Sequence, residues 1–388
     1  MSSSGRERVR TDDGSVREWV GAMFDLVVRH GGSVHPDLWV VEQDGSMSIH
    51  VDGRDGQRLM HVPAAILVPI GRVGIDVVAD ELVVAEPDDE LTAVQRESLD
   101  VHLGLYNATK KMSWARTALP EVALAGQPAV VETLGRLHRR ALRHDRSAAT
   151  AFLATRTISF DAGRSSQAGT DDVRSDGQPE GIAGLGAERR PVLMPLLDLV
   201  NHHPQGAPFR GKADGLRARV AHPVGGTEAF VTYGADKDPI GTALRYGFVA
   251  ADAHRTKVCP VEVELDGLRV VVEGRSHHVK HPLDPPAVSI DGSTLTLSHL
   301  TIDADHPQRV KVALSMAVQM ATQSRCGAGG PITGDDVLAA IVRADRAVTD
   351  SVVGELARAG RAGETIERAI AVHRSVLDRA AHALDLEV

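Results

Sequence analysis

The sequence predicts an α+β fold, and three observations carry that prediction. Short β-like runs bounded by Gly, Asp and Ser occur at Leu38–Glu42 and Arg58–Val62 and return from Val192 onward. Between them, residues from Glu90 to Arg146 are poor in glycine and read as helices. From Pro307 to the end the pattern is helical again. Strands, helices, strands and helices therefore come in blocks. A doubly wound parallel sheet would alternate them one by one. Neither Gly-x-Gly-x-x-Gly nor Gly-x-x-x-x-Gly-Lys-Ser/Thr occurs between a strand and a helix, so nucleotide-phosphate chemistry has no support.

The elements follow in order. Val20, Met23, Phe24 and Val27 keep the i, i+3, i+4, i+7 spacing of an amphipathic helix, and Gly31-Gly32 supply its stop. The helical stretch after Glu90 is broken at Leu119-Pro120. Residues 161–189 are rich in Gly, Ser, Asp and Arg without periodicity, which predicts a mobile insertion. An apolar strand is expected over Val192–Val200. Further strands are expected at Leu216–Ala221, Ala229–Thr232 and Glu262–Val272, with a hairpin at Ser289–Leu297 around Asp291-Gly292. In the last helix Ile366, Ile370, His373, Leu377, Ala380 and Leu384 alternate steps of four and three, a stripe that buries one face.

Composition narrows the function classes. The chain has 388 residues, 43 % hydrophobic and 24 % charged, a globular balance with room for more than one domain. A net charge of −9 argues against nucleic acid as a partner held by a basic surface. No apolar run approaches the roughly 18–20 residues that cross a bilayer, so no membrane partner is expected. The polar N-terminus lacks a signal peptide's apolar segment. The two cysteines, Cys259 and Cys326, are far apart, and a cytoplasmic location is expected. His277-His278-x-x-His281 does not place three rings on one helical face and reads as a polar loop. His202-His203 has no cysteine at ligand spacing, and its one nearby carboxylate is Asp198. No metal is expected.

Three segments carry chemistry-bearing residues. The first is Leu193-Met194-Pro195-Leu196-Leu197-Asp198-Leu199-Val200-Asn201-His202. The second is Gly226-Thr227-Glu228-Ala229-Phe230-Val231-Thr232-Tyr233-Gly234. The third is Tyr246-Gly247-Phe248. Two of the chain's three tyrosines thus sit in Tyr-Gly pairs thirteen residues apart. Each segment alone reads as a cap or strand terminus. Together, in this order, they resemble the C-terminal signature motifs of SET-domain methyltransferases, most closely the subclass of the Rubisco large-subunit lysine methyltransferase. Gly31-Gly32-x-Val34, Leu59-Met60-His61-Val62-Pro63, Trp114 with Leu119-Pro120, and Phe152-Leu153-Ala154-Thr155-Arg156 resemble further parts of that subclass. The similarity is specific over 193–249 and looser over the rest of 17–386.

The resemblance implies a SET-type β fold with a knot-like crossing near 201 and 246, a helical insert and a helical C-terminal domain. It divides the chain into a first SET part at 15–105 and a helical insert at 106–190. A second SET part at 191–256 follows, then a hairpin plus helical substrate-binding-like domain at 257–388. It implies S-adenosyl-L-methionine as cofactor and N-methylation of an amine, foremost a lysine side chain of a protein or peptide. By the same resemblance Tyr246 is the catalytic hydroxyl, and Gly45, Ser46, Arg156, Asn201, His202 and Phe248 bind the cofactor. Tyr233 lines the substrate channel, while Glu228 is structural. One departure stands out: the family's Gly-x-Gly loop is Asp44-Gly45-Ser46-Met47 here, with a single glycine. Two other functions share these residues: methylation of a small-molecule or peptide natural product, and a SET-like binding protein without catalysis.

Overall fold

A computed structural model of the chain describes residues 8–86, 90–138, 147–160, 190–233, 238–274, 285–323, 331–357 and 359–388. The predicted insertion at 161–189 and the His277-His278-x-x-His281 cluster lie outside the described residues. The fold is α+β, with strands and helices in successive blocks. It divides into two compact units, Met1–Arg116 with Asp145–Gly234, and Thr117–His144 with Ala235–Val388. The helical stretch assigned to 106–190 is thereby shared between the units, and residues from Ala235 to 256 belong with the second.

The first unit opens on the helix Gly14–Arg29. Asp13 caps it by accepting from the Ser15 and Val16 N–H groups, and Val20, Met23, Phe24 and Val27 are buried on its inner face as their spacing predicts. Leu38–Gln43 and Ser46–Val51 form an antiparallel hairpin. Its two turn residues, Asp44 and Gly45, take φ of 51° and 76°, the paired left-handed geometry that matches strand twist. A four-stranded sheet runs in the order Arg210–Lys212, Gly215–Arg219, Arg58–Pro63 and Ser33–Val34. The helix Ala93–Ala108 starts with a reciprocal Thr92–Gln95 capping box and buries Ser98, His102 and Tyr106. Backbone paths are tight in the four-stranded sheet. Gly215 has φ of 142°, and a Cβ there would stand 2.1 Å from the Val62 carbonyl oxygen. Gly215→Ala is expected to lower stability by about 2 kcal/mol or more, read as a drop in urea midpoint at unchanged slope.

Two sequence expectations change in this unit. Gly74–Val78 and Glu81–Glu86 form a hairpin that the sequence did not announce. Its turn is Ala79-Asp80, at φ of 51° and 66°, so the usual Gly or Asn punctuation is missing. The apolar strand expected over Val192–Val200 is also corrected. The strand ends at Leu193, and Leu197–Leu199 form a 3-10 turn. A new strand, Asn201–Pro208, then pairs in parallel with Phe230–Thr232 across a bulge. Pro195 has no N–H for a ladder, and Leu196 turns at φ of 63°, so apolar character here buries an irregular segment.

In the second unit Val261–Leu265 and Leu268–Val272 form a hairpin through Asp266-Gly267. The predicted hairpin is Val288–Asp291 with Thr294–Leu297, joined to the first by parallel pairing of Leu268–Val272 with Thr294–Leu297. The helices Gln308–Gln323, Gly334–Leu356 and Gly360–Ala383 follow. Ile366, Ile370, His373, Leu377, Ala380 and Leu384 are all buried, so the stripe read from the sequence is the packing face. No described helix is long and apolar enough to cross a membrane.

Candidate functional site

The 3-10 turn Leu197–Leu199 and the Asn201-His202 strand start are the hub of the first unit's polar cluster. Asn201 Nδ2 donates to Glu228 Oε1 at 2.8 Å and to the Met47 carbonyl at 3.3 Å. This side chain therefore ties its own strand to the hairpin that carries Gly45 and Ser46. The Tyr233 N–H donates to His202 Nδ1 at 3.0 Å. A backbone N–H can only donate, so Nδ1 is bare and a neutral His202 carries its proton on Nε2. The Tyr233 ring lies 5.0 Å from the His202 ring, and its hydroxyl donates to the Val200 carbonyl at 2.9 Å. Tyr233 thus braces the strand start from both its backbone and its phenol.

Asp198 lies within this 3-10 turn, 6 % exposed. Tyr106, wholly buried in the helix Ala93–Ala108, donates its hydroxyl to Asp198 Oδ2 at 2.6 Å. Burial, followed by the Asp198 charge, pushes the Tyr106 phenol well above its ordinary range, so it stays protonated and donating. The other oxygen, Asp198 Oδ1, is buried with no partner among the described residues. Arg156, just past the helix Ala148–Ala154, lays its guanidinium 5.5 Å from the Phe152 ring centre, and its Nε is likewise buried without a partner. Phe152 in turn meets Tyr106 edge-on at 5.2 Å.

Gly45 is held from both sides. Its N–H donates to Glu42 Oε1 at 2.7 Å, and its carbonyl accepts from Lys111 Nζ at 2.6 Å. A Cβ at Gly45 would come within 3.1 Å of the Thr109 carbonyl oxygen, so the turn passes close to the chain there. Ser46 is exposed, whereas Met47 is buried in the core, so the altered glycine loop turns its larger side chain inward. The charges of Arg156, Asp198 and Glu42 all act on Lys111.

Of the residues singled out from sequence, the first unit ties Asn201 to the hairpin that carries Gly45 and Ser46, joins His202 to Tyr233, and sets Arg156 among the charges around Lys111, which bonds Gly45. Tyr246 and Phe248 belong to the second unit. Tyr246 ends the helix Pro239–Tyr246, which Asp238 caps through the Gly241 N–H and Gly247 terminates at φ of 71°. Its ring lies 6.0 Å from that of Phe248 and 5.5 Å from the Arg245 guanidinium. Sequence reasoning passed over Tyr106 and Lys111 and weighed Asp198 only as a metal ligand. Their one available signal was rarity, since tyrosines number three and Lys111 is one of seven lysines.

No family model matches the chain, and no curated protein sequence matches it. Among solved structures it is similar to the crystal structure of the SET domain of LSMT bound to lysine and AdoHcy. The identity is 11 % and the TM-score 0.38, over 95 % of this chain and 91 % of that one. A similarity of that size carries no weight by itself, and the functional reading rests on the residues described above.

Proposed function

We propose that the chain binds S-adenosylmethionine and transfers its methyl group to an amine, foremost the side chain of a lysine in a protein or peptide, within a SET-type fold. The observation that carries this reading is a pair of buried atoms on groups of opposite charge, Arg156 Nε and Asp198 Oδ1, with no hydrogen-bond partner among the described residues. Their charges act on Lys111, which bonds the Gly45 carbonyl, and Asp198 lies three residues before Asn201. Buried polar groups are rarely left unpaired without a purpose. A guanidinium and a carboxylate together complement the α-carboxylate and α-ammonium of an amino acid, which is one end of this cofactor. The order of the three motifs points to the same cofactor.

When bound, the cofactor supplies an electrophilic methyl group on sulfur, and the chain's task is alignment and exclusion of water. Arg156 and Asp198 hold the amino-acid end. Asn201 and His202 would meet the cofactor at a strand start that the Asn201 side chain, committed to Glu228 and Met47, holds in place. The order of the motifs assigns the catalytic hydroxyl to Tyr246 and a cofactor contact to Phe248. An acceptor amine held in an apolar channel loses its proton more readily because the charged form is desolvated.

Calorimetric titration with S-adenosylmethionine tests the cofactor, and saturable one-to-one binding is expected. Binding weaker than about 1 mM, roughly 4 kcal/mol, removes the reading. Incubation of a lysate with isotope-labelled cofactor, read by mass spectrometry, tests the acceptor, and label on lysine side chains is expected. Label on a small molecule instead would move the acceptor to a natural product. Binding without transfer to anything would favour a binding protein, the reading that the single-glycine loop supports.

A further inference from the structure

Lys111 has no counterpart in the motifs that carry the functional reading. It opens the helix Lys111–Ala118 and is only half-buried as a residue, yet its ammonium reaches inward to the Gly45 carbonyl at 2.6 Å. That bond uses one N–H, and the others have no partner among the described residues. Charged groups act on it from each neighbouring element. Glu42 comes from the strand Leu38–Gln43, Arg156 from the chain after the helix Ala148–Ala154, and Asp198 from the 3-10 turn, with the Tyr106 hydroxyl already spent on Asp198. Glu42 is itself engaged twice, by the Gly45 N–H and by the Thr11 hydroxyl. Lys111 and Arg156 thus each hold donor capacity that no described residue takes up, and an acceptor shared by the two is what the cluster lacks.

We infer that Lys111 is a second cation for the carboxylate of the cofactor's amino-acid end, acting beside Arg156, and that it selects a cofactor bearing that carboxylate. The inference rests on the cofactor reading and adds a residue and a specificity to it. Burial, and then the positive charge of Arg156, push the Lys111 amine down to about 7, against the opposing pull of Asp198 and Glu42. A carboxylate placed against it restores preference for the ammonium form. Around pH 8 the ligand-free amine is mostly neutral, so binding takes up a proton. Affinity then weakens with rising pH, by up to about tenfold per unit above 7.

The test is calorimetry at pH 8 in two buffers of different ionisation heat, with S-adenosylhomocysteine and with decarboxylated S-adenosylmethionine. The proteins are the full chain and its Lys111→Met and Lys111→Arg variants. The wild type is expected to take up most of one proton with S-adenosylhomocysteine and little with the decarboxylated ligand. Lys111→Met should lose that uptake and about tenfold or more in affinity for S-adenosylhomocysteine, while its affinity for the decarboxylated ligand stays within threefold. Lys111→Arg should keep the preference for the carboxylate without taking up a proton. Equal weakening of both ligands in Lys111→Met would mean that the residue only props the Gly45 turn, and the inference falls. It falls too if wild-type binding takes up no proton. Should Lys111→Met not fold, the wild-type uptake and the Lys111→Arg result decide. A wild type that binds neither ligand overturns the cofactor reading itself, and is told apart from the failures in which binding persists.

Discussion

Replacing Tyr246 by phenylalanine is expected to lower methyl transfer about a hundredfold while changing cofactor affinity by less than about threefold. The substitution removes one oxygen and little else. The ring keeps its place at the end of the helix Pro239–Tyr246, where Gly247 closes the helix in the left-handed conformation. It also keeps its neighbours Phe248 and Arg245. A hydroxyl that acts on the transition state more than on bound substrate changes the rate and leaves affinity nearly unchanged. Single-turnover transfer of label, with cofactor affinity measured separately, checks the split. A variant that transfers as fast as the wild type would take the catalytic role away from this hydroxyl.

His373→Ala is expected to destabilise the chain by about 3–5 kcal/mol, the largest effect foreseen on folding. His373 is fully buried, with Nε2 bonded to Asp345 Oδ1 at 2.7 Å and Nδ1 bonded to the Thr256 hydroxyl. The other Asp345 oxygen accepts the Cys259 N–H at 2.7 Å. Burial, and then the Asp345 charge, push the Cys259 thiol well up, so it stays a neutral member of this network. Truncating the imidazole leaves Asp345 Oδ1 and the Thr256 hydroxyl unpaired in a dry core and opens a cavity. Urea unfolding measures the loss. A double-mutant cycle with Asp345→Asn should show a coupling of about 1–3 kcal/mol, whereas additive effects would mean that the two side chains are independent.

His373 also shows how far sequence reading reaches. Its place on a stripe of Ile366, Ile370 and Leu377 was legible because a helix repeats every 3.6 residues, and burial follows from that period alone. Its partners were not legible, since Asp345 is 28 residues away and Thr256 is 117. The same split runs through the candidate site. Asn201, His202, Tyr233 and Tyr246 stand out because their motifs are local. Lys111 and Tyr106 carry no motif, and the sequence holds no sign that they share charges with Arg156 and Asp198. Strand prediction failed where backbone conformation departs from residue preference. Ala79-Asp80 turn with positive φ but without glycine, and the Leu196 bend hides inside an apolar run.

By itself the chain's order of residues determined the α+β class, the buried faces of its first and last helices, and three motifs that resemble those of SET-domain methyltransferases. The first two are encoded in neighbours a few positions apart, through hydrophobic period, caps and turn residues, and the third in local motif order. Only the tertiary structure decided that Asn201's side chain is spent on Glu228 and Met47, that His202 Nδ1 accepts from the Tyr233 N–H, and that Arg156 and Asp198 hold interior atoms unpaired among the described residues. Those facts depend on which distant groups meet after water is excluded, where an unsatisfied donor or charge becomes costly enough to mark a site.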